Sequence, residues 1–162
     1  MAYRGQNEVG CSLINVGTIT LGSGLDPTGI VVSGDMLMAT NGKTWKVHVY
    51  KRDDGKLLST SFQLEAWPLG ICCINESEIC VGLDNGTIEI MSVEGTGVIK
   101  RVKNLNLKSA FDRCYGVAAL ADNVVVCGVK QGAIWWCNVS LHDGHVNTVN
   151  KVCKGIRCHS AT

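Results

Sequence analysis

Short apolar runs separated by polar, glycine-bearing turns dominate the chain. Met36 to Thr40, Glu78 to Gly82 and Val124 to Gly128 are compact apolar runs. Each is followed by a turn, Asn41-Gly42-Lys43, Asp84-Asn85-Gly86 or Lys130-Gln131-Gly132. Past each turn lies an alternating stretch: Trp45 to Tyr50, Thr87 to Ile90, and Ala133 to Trp136. Strict alternation reads as a half-buried strand, and Asn-Gly between two such runs is a strong hairpin signal. No segment sustains a helical period, so the pattern predicts an all-β chain.

The pattern also repeats. Gly29-Ile30-Val31-Val32-Ser33, Gly70-Ile71-Cys72-Cys73-Ile74 and Gly116-Val117-Ala118-Ala119-Leu120 open three similar segments, and Gly155-Ile156-Arg157-Cys158 reads as a fourth opening. The spacings are 41, 46 and 39 residues, within the range of propeller blades. Each full segment offers four strands. The first two are apolar throughout, as strands covered on both faces should be, and the fourth is more polar, as at a solvated edge. The fourth strands are read at Lys56 to Leu64, Val98 to Leu107 and Val146 to Val152. Four antiparallel strands per repeat describe a β-propeller fragment. An ordinary β-sandwich is the competing arrangement, but it would not need the repeated leading glycine. The expected division is outer strands of a preceding blade at 1–25, blades at 26–66, 67–112 and 113–152, and the start of another at 153–162. That makes about three and a half blades, fewer than the 4 to 8 that typically close a ring.

Composition narrows the function classes. The chain has 162 residues, 46% hydrophobic and 18% charged, with a formal net charge of +1. This is a globular balance with no general electrostatic reason to expect nucleic acid or an anionic membrane. No apolar run is long enough for a transmembrane helix, and the first residues lack the apolar core of a signal peptide. A cytoplasmic address and reduced thiols are therefore the expectation. The nine cysteines include no Cys-x-x-Cys pair, which argues against a zinc module. Sequons at Asn75, Asn85 and Asn138 carry no weight without secretion.

The blade openings Asp26-Pro27-Thr28-Gly29-Ile30-Val31-Val32 and Cys114-Tyr115-Gly116-Val117-Ala118 resemble those of NHL-type propellers. More narrowly, they resemble the C-terminal propellers of invertebrate tripartite-motif (TRIM-like) proteins. The resemblance covers roughly residues 25 to 160 and implies a protein- or RNA-binding surface, often the substrate-recognition end of a ubiquitin ligase. The chain contains no Cys/His-rich RING or B-box, so ligase activity does not carry over. WD-repeat propellers match less well, because no Trp-Asp pair closes a blade.

Motifs with chemistry are scarce. Gly42-Lys43-Thr44 ends like a phosphate-binding loop, but Leu37 stands where the earlier glycine is needed and a strand follows. Gly22-Ser23-Gly24 is followed by Pro27 where a dinucleotide fingerprint needs glycine. His142-Asp143-Gly144-His145 reads as a solvated hairpin tip, and Cys153, Cys158 and His159 lack a fourth metal ligand. Cys72-Cys73 reads as core packing. No Gly-x-Ser-x-Gly elbow occurs. No enzyme, cofactor or metal is expected.

Propeller geometry places the loops leading into each first strand and those joining the second and third strands on one face. That face is expected to carry Asn41, Lys43, Trp67, Arg113, Tyr115, Lys130 and Lys154. Trp67, Arg113 and Tyr115 form its centre, with Lys43, Lys130 and Lys154 around them. Trp, Tyr and Arg are enriched in binding hot spots, although Trp67 packed between blades is an equally physical reading. The expected function is protein binding. Single-stranded RNA binding through the same face and a fragment of a propeller hydrolase or lyase are the alternatives. Self-association through open blade edges is also expected.

Overall fold

The computed structural model describes residues 24–53 and 56–154. The strand expected at Leu13 to Leu21 and the fourth opening at Gly155 lie outside the described residues. Twelve strands form three four-stranded antiparallel sheets in chain order. Sheet 1 holds β1 (Pro27–Ser33), β2 (Met36–Asn41), β3 (Lys46–Asp53) and β4 (Lys56–Gln63). Sheet 2 holds β5 (Pro68–Cys73), β6 (Glu78–Leu83), β7 (Thr87–Val93) and β8 (Ile99–Asn106). Sheet 3 holds β9 (Arg113–Leu120), β10 (Asn123–Lys130), β11 (Ala133–Ser140) and β12 (Val146–Lys154). Among the described residues the expected strands are present. The last outer strand reaches Lys154, where Val152 was expected. Between β10 and β11, Gln131 and Gly132 both take positive φ, 51° and 72°, as a tight two-residue hairpin requires.

The first strands β1, β5 and β9 lie beside one another, so the sheets stack through their inner edges. The repeated glycine has its explanation here. A Cβ on Gly70 would come within 2.5 Å of the Tyr115 carbonyl oxygen in sheet 3, and one on Gly29 within 2.8 Å of the Ile71 side chain in sheet 2. A β-bulge precedes each leading glycine. Pro27 and Gly29 pair with Asn41 and Thr40, Pro68 and Gly70 with Leu83 and Gly82, and Cys114 and Gly116 with Gly128 and Cys127. Thr28, Leu69 and Tyr115 are therefore left out of the ladder at equivalent places. A bulge bends its strand and re-aims a side chain, which is how Tyr115 stays 40% exposed inside a strand.

Two apolar cores fill the spaces between sheets. Met38, Val47 and Val49 of sheet 1 meet Ile79, Val81 and Met91 of sheet 2. Cys80, Ile88 and Ile90 of sheet 2 meet Cys114, Val124, Val126 and Cys137 of sheet 3. The rungs Gly29–Thr40–Val47, Gly70–Gly82–Ile88 and Gly116–Cys127–Trp136 are equivalent. Val47 and Ile88 are buried against the next sheet, whereas Trp136 is 37% exposed on the outer flank of sheet 3.

Among the described residues one charged side chain is buried. Glu89 of β7 is fully buried facing sheet 1, and Arg101 clasps it from Nε to Oε2 at 2.9 Å and from Nη2 to Oε1 at 3.2 Å. Arg101 also donates from Nη1 to Glu65 at 2.7 Å and lies over the Phe62 ring. The register of β8 shifts between Lys103 and Arg101, leaving Val102 unpaired. That bulge turns Arg101 toward Glu89 and leaves Val102 54% exposed.

Candidate functional site

The loops between sheets and the β2–β3, β6–β7 and β10–β11 turns gather at one end of the stack. Hydrogen bonds join them in pairs. Gly42 donates its N–H to the Asp26 carbonyl at 2.8 Å, Asp84 to Trp67 at 3.0 Å, and Asp112 to Val129 at 2.8 Å. These backbone groups are thus satisfied within the protein.

Trp67 precedes β5 and is 44% exposed. Its indole lies on Gly42 of sheet 1, where a Cβ would fall 2.5 Å from Nε1. Trp67 therefore packs across a sheet boundary, as one sequence-based reading expects, and still presents nearly half its surface. Asp84 accepts the Trp67 backbone N–H at 3.2 Å. Arg113, the first residue of β9, donates to the Tyr115 hydroxyl in a long 3.5 Å contact. That contact, and then the Asp84 carboxylate, hold the Arg113 guanidinium more firmly charged than usual. Asp84 thus stands between the two groups: it holds the Trp67 backbone, whose indole covers the sheet 1 turn, and attracts Arg113, which reaches Tyr115 at the start of sheet 3. The sequence reading did not single out Asp84.

The other candidates are placed differently. Asn41 is buried at the end of β2, where Oδ1 accepts N–H groups of Asp26, Lys43 and Thr44. It holds the turn and offers no ligand surface. Lys43 is exposed in that turn, beside the Gly42 seat of Trp67. Lys130 ends β10, and its Nζ donates to the Ser109 carbonyl. It borders a cleft of about 470 Å³ lined by Ser109, Ala110, Gln131, Trp135 and Val146. Lys154 ends the outermost strand, paired with Ala133, not a loop leading into a first strand. Tyr115 also borders a small apolar recess on the flank of sheet 3, with Cys127, Gly128, Val129 and Ile134. At the opposite end a wider, open cleft of about 670 Å³ is lined by Ile74, Asn75, Glu78, Ala121, Asp122, Leu141 and His142. Within the hairpin tip expected to be solvated, Asp143 accepts the His145 N–H at 2.9 Å, which holds its carboxyl below the usual range.

Neither protein-family profiles nor curated protein sequences match the chain. Solved structures do. Hydrazine synthase of Kuenenia stuttgartiensis aligns with TM-score 0.63 at 15% identity over 78% of this chain and 37% of that one. The β-propeller domain of Myceliophteria thermophila Cps50 (Swd1) aligns with TM-score 0.62 at 18% identity over 80% of this chain and 43% of that one. A Bacteroides fragilis protein described as a 6-phosphogluconolactonase aligns with TM-score 0.65 at 13% identity over 83% and 41%. The chain has a β-propeller-like fold. Its three sheets are blade-like, and the chain spans about two fifths of the length of these structures. The likeness reaches several distinct propeller families and does not single out the NHL or TRIM-like type. Among the described residues no helix is long and apolar enough to cross a membrane.

Proposed function

We propose that this chain is a non-catalytic binding scaffold that holds a protein partner on the loop end of its blades, centred on Trp67, Arg113 and Tyr115. The observation that carries this reading is that Trp67, Arg113 and Tyr115 are all exposed at this end, with Asp84 interacting with both the Trp67 backbone and the Arg113 guanidinium. An indole seated on glycine, a guanidinium poised by Asp84 and a bulge-presented phenol are anchors of the kind that dominate interfaces. Among the described residues no three His, Cys, Asp or Glu side chains are grouped to hold a metal ion, and Trp67, Asp84, Arg113 and Tyr115 pair no nucleophile with a base. The resemblance of the blade openings at Asp26 to Val32 and Cys114 to Ala118 supports a TRIM-like recognition propeller in the cytoplasm. Capture of partners on the immobilised chain, followed by alanine substitution, tests it. Trp67→Ala, Arg113→Ala and Tyr115→Ala should each cost about 2 kcal/mol, roughly thirtyfold in Kd. His142→Ala at the opposite end should be neutral. A partner whose affinity falls steeply with salt and proves to be RNA would replace the protein reading. Loss of binding only on His142→Ala would move the site to the other end.

The flank of blade 3 supports self-association as part of the same reading. Leu120, Trp136 and Tyr115 are exposed there, and Trp136 occupies the rung that Val47 and Ile88 bury against a following blade. Sedimentation should show association that rises with concentration and falls on Trp136→Glu, because a charge on an apolar docking face opposes its burial. A monomer at all concentrations overturns this part.

A further inference from the structure

Four cysteines chain through the core between blades 2 and 3: Cys72 on β5, Cys80 on β6, Cys114 on β9 and Cys137 on β11. Two of them are direct cross-strand partners, since Cys72 pairs with Cys80 in the β5–β6 ladder. Directly opposed residues of an antiparallel pair have Cα atoms about 4.5–5.5 Å apart, inside the roughly 4.4–6.8 Å span that a disulfide bridges. Directly opposed across the ladder, their side chains lie on the same face of the sheet. Cys73, the next residue, points to the other side of the sheet, where its thiol reaches the Val32 carbonyl. Cys80 is fully buried, whereas Cys72 is only partly covered. Of the pair, Cys72 is thus the one nearer the surface.

We propose that Cys72 and Cys80 are a peroxide-responsive pair that closes to a reversible cross-strand disulfide. The Cys72 thiolate attacks one peroxide oxygen, the O–O bond breaks, and after protonation one water leaves and Cys72 carries a sulfenic acid. The Cys80 sulfur then attacks the Cys72 Sγ, the S–O bond breaks, and hydroxide departs with the Cys80 proton as a second water. Two thiols and one hydrogen peroxide give one disulfide and two waters. The polarity of the pair suits these roles. The hydrogen bond from Cys80, together with the N–H groups of Cys80 and Ala119, holds the Cys72 thiol below its ordinary pKa against the opposing effect of burial. Cys80, donating to Cys72 and fully buried, is raised well above it. Thiolate character decides which sulfur is oxidised first.

The test treats the reduced full chain with equimolar hydrogen peroxide, blocks remaining thiols and maps the products without reduction. No Lys or Arg separates Cys72 from Cys80, but cleavage after Glu76 and Glu78 does. A linked peptide two hydrogens lighter, lost on dithiothreitol treatment and retained in Cys73→Ser, is the expected result. Cys72→Ser should abolish the link. Cys80→Val, checked for an unchanged β spectrum, should leave a sulfenic acid on Cys72 that dimedone traps. If Cys80→Val fails to fold, the link in Cys73→Ser and its loss in Cys72→Ser decide alone. A first-formed link through Cys73, Cys114 or a second chain overturns the proposal, as does accumulation of sulfinic acid without any link.

Discussion

Replacing Arg101 with methionine is expected to destabilise the protein by about 3 kcal/mol, because it strands the Glu89 carboxylate in the core between blades 1 and 2. Glu89 is fully buried, and Arg101 supplies both of its charged hydrogen bonds. The remaining contact, the Glu65 N–H at 3.4 Å, is too long to carry a buried charge. The double variant Glu89→Leu with Arg101→Met should recover most of the loss, since an apolar pair of similar volume replaces a buried ion pair at little cost. Glu65 keeps its solvent contact in either case. Urea unfolding of the wild type, the single and the double variant reads the contrast directly. A double variant as unstable as the single would mean that packing, not the stranded charge, sets the effect.

Gly70→Ala should cost roughly 2–3 kcal/mol, at the upper end of what overpacking usually does. Its added Cβ would meet the Tyr115 carbonyl oxygen at 2.5 Å, and backbone cannot rotate away as a side chain can. The inner strands of blades 2 and 3 would have to separate. Gly95→Ala is the matched control, because nothing lies within 4 Å of its added carbon; its stability should stay within about 0.5 kcal/mol of wild type. Equal effects at both positions would remove the close approach of the inner strands as the reason for the repeated glycine.

The blades were legible in the sequence because period, turn residues and leading glycines all pointed the same way. Gly29, Gly70 and Gly116 mark the repeat in one dimension. Why the first two are glycine appears only when β1 meets β5 and β5 meets β9. The Glu89–Arg101 pair was not legible. Thr87-Ile88-Glu89-Ile90 alternates as a half-solvated strand does, so Glu89 reads as facing water. In the fold both faces of β7 are covered. A regular β8 would have set Val102 on the rung that Arg101 occupies, because a one-residue shift exchanges the faces of a strand. A bulge of this kind leaves no residue signature. The candidate site was partly legible. Trp67, Arg113 and Tyr115 stood out by residue type, and the structure leaves all three exposed. Asp84, which links Trp67 to Arg113, looked like an ordinary turn aspartate. Asn41 looked like a surface residue because nothing in a sequence says that its side chain closes two N–H groups of its own turn and that of Asp26 before β1.

The three inner-strand bulges divide labour between main chain and side chain. At Thr28, Leu69 and Tyr115 the backbone steps out of the ladder at the same rung of each blade. The sheet's hydrogen bonding therefore places no demand on which side chain is carried there. These positions work as interchangeable settings on a fixed frame: one residue per blade, set around the same end, variable without re-registering a strand. A side chain can therefore change at any of the three places without shifting a strand's register, so long as the glycine that follows it is kept.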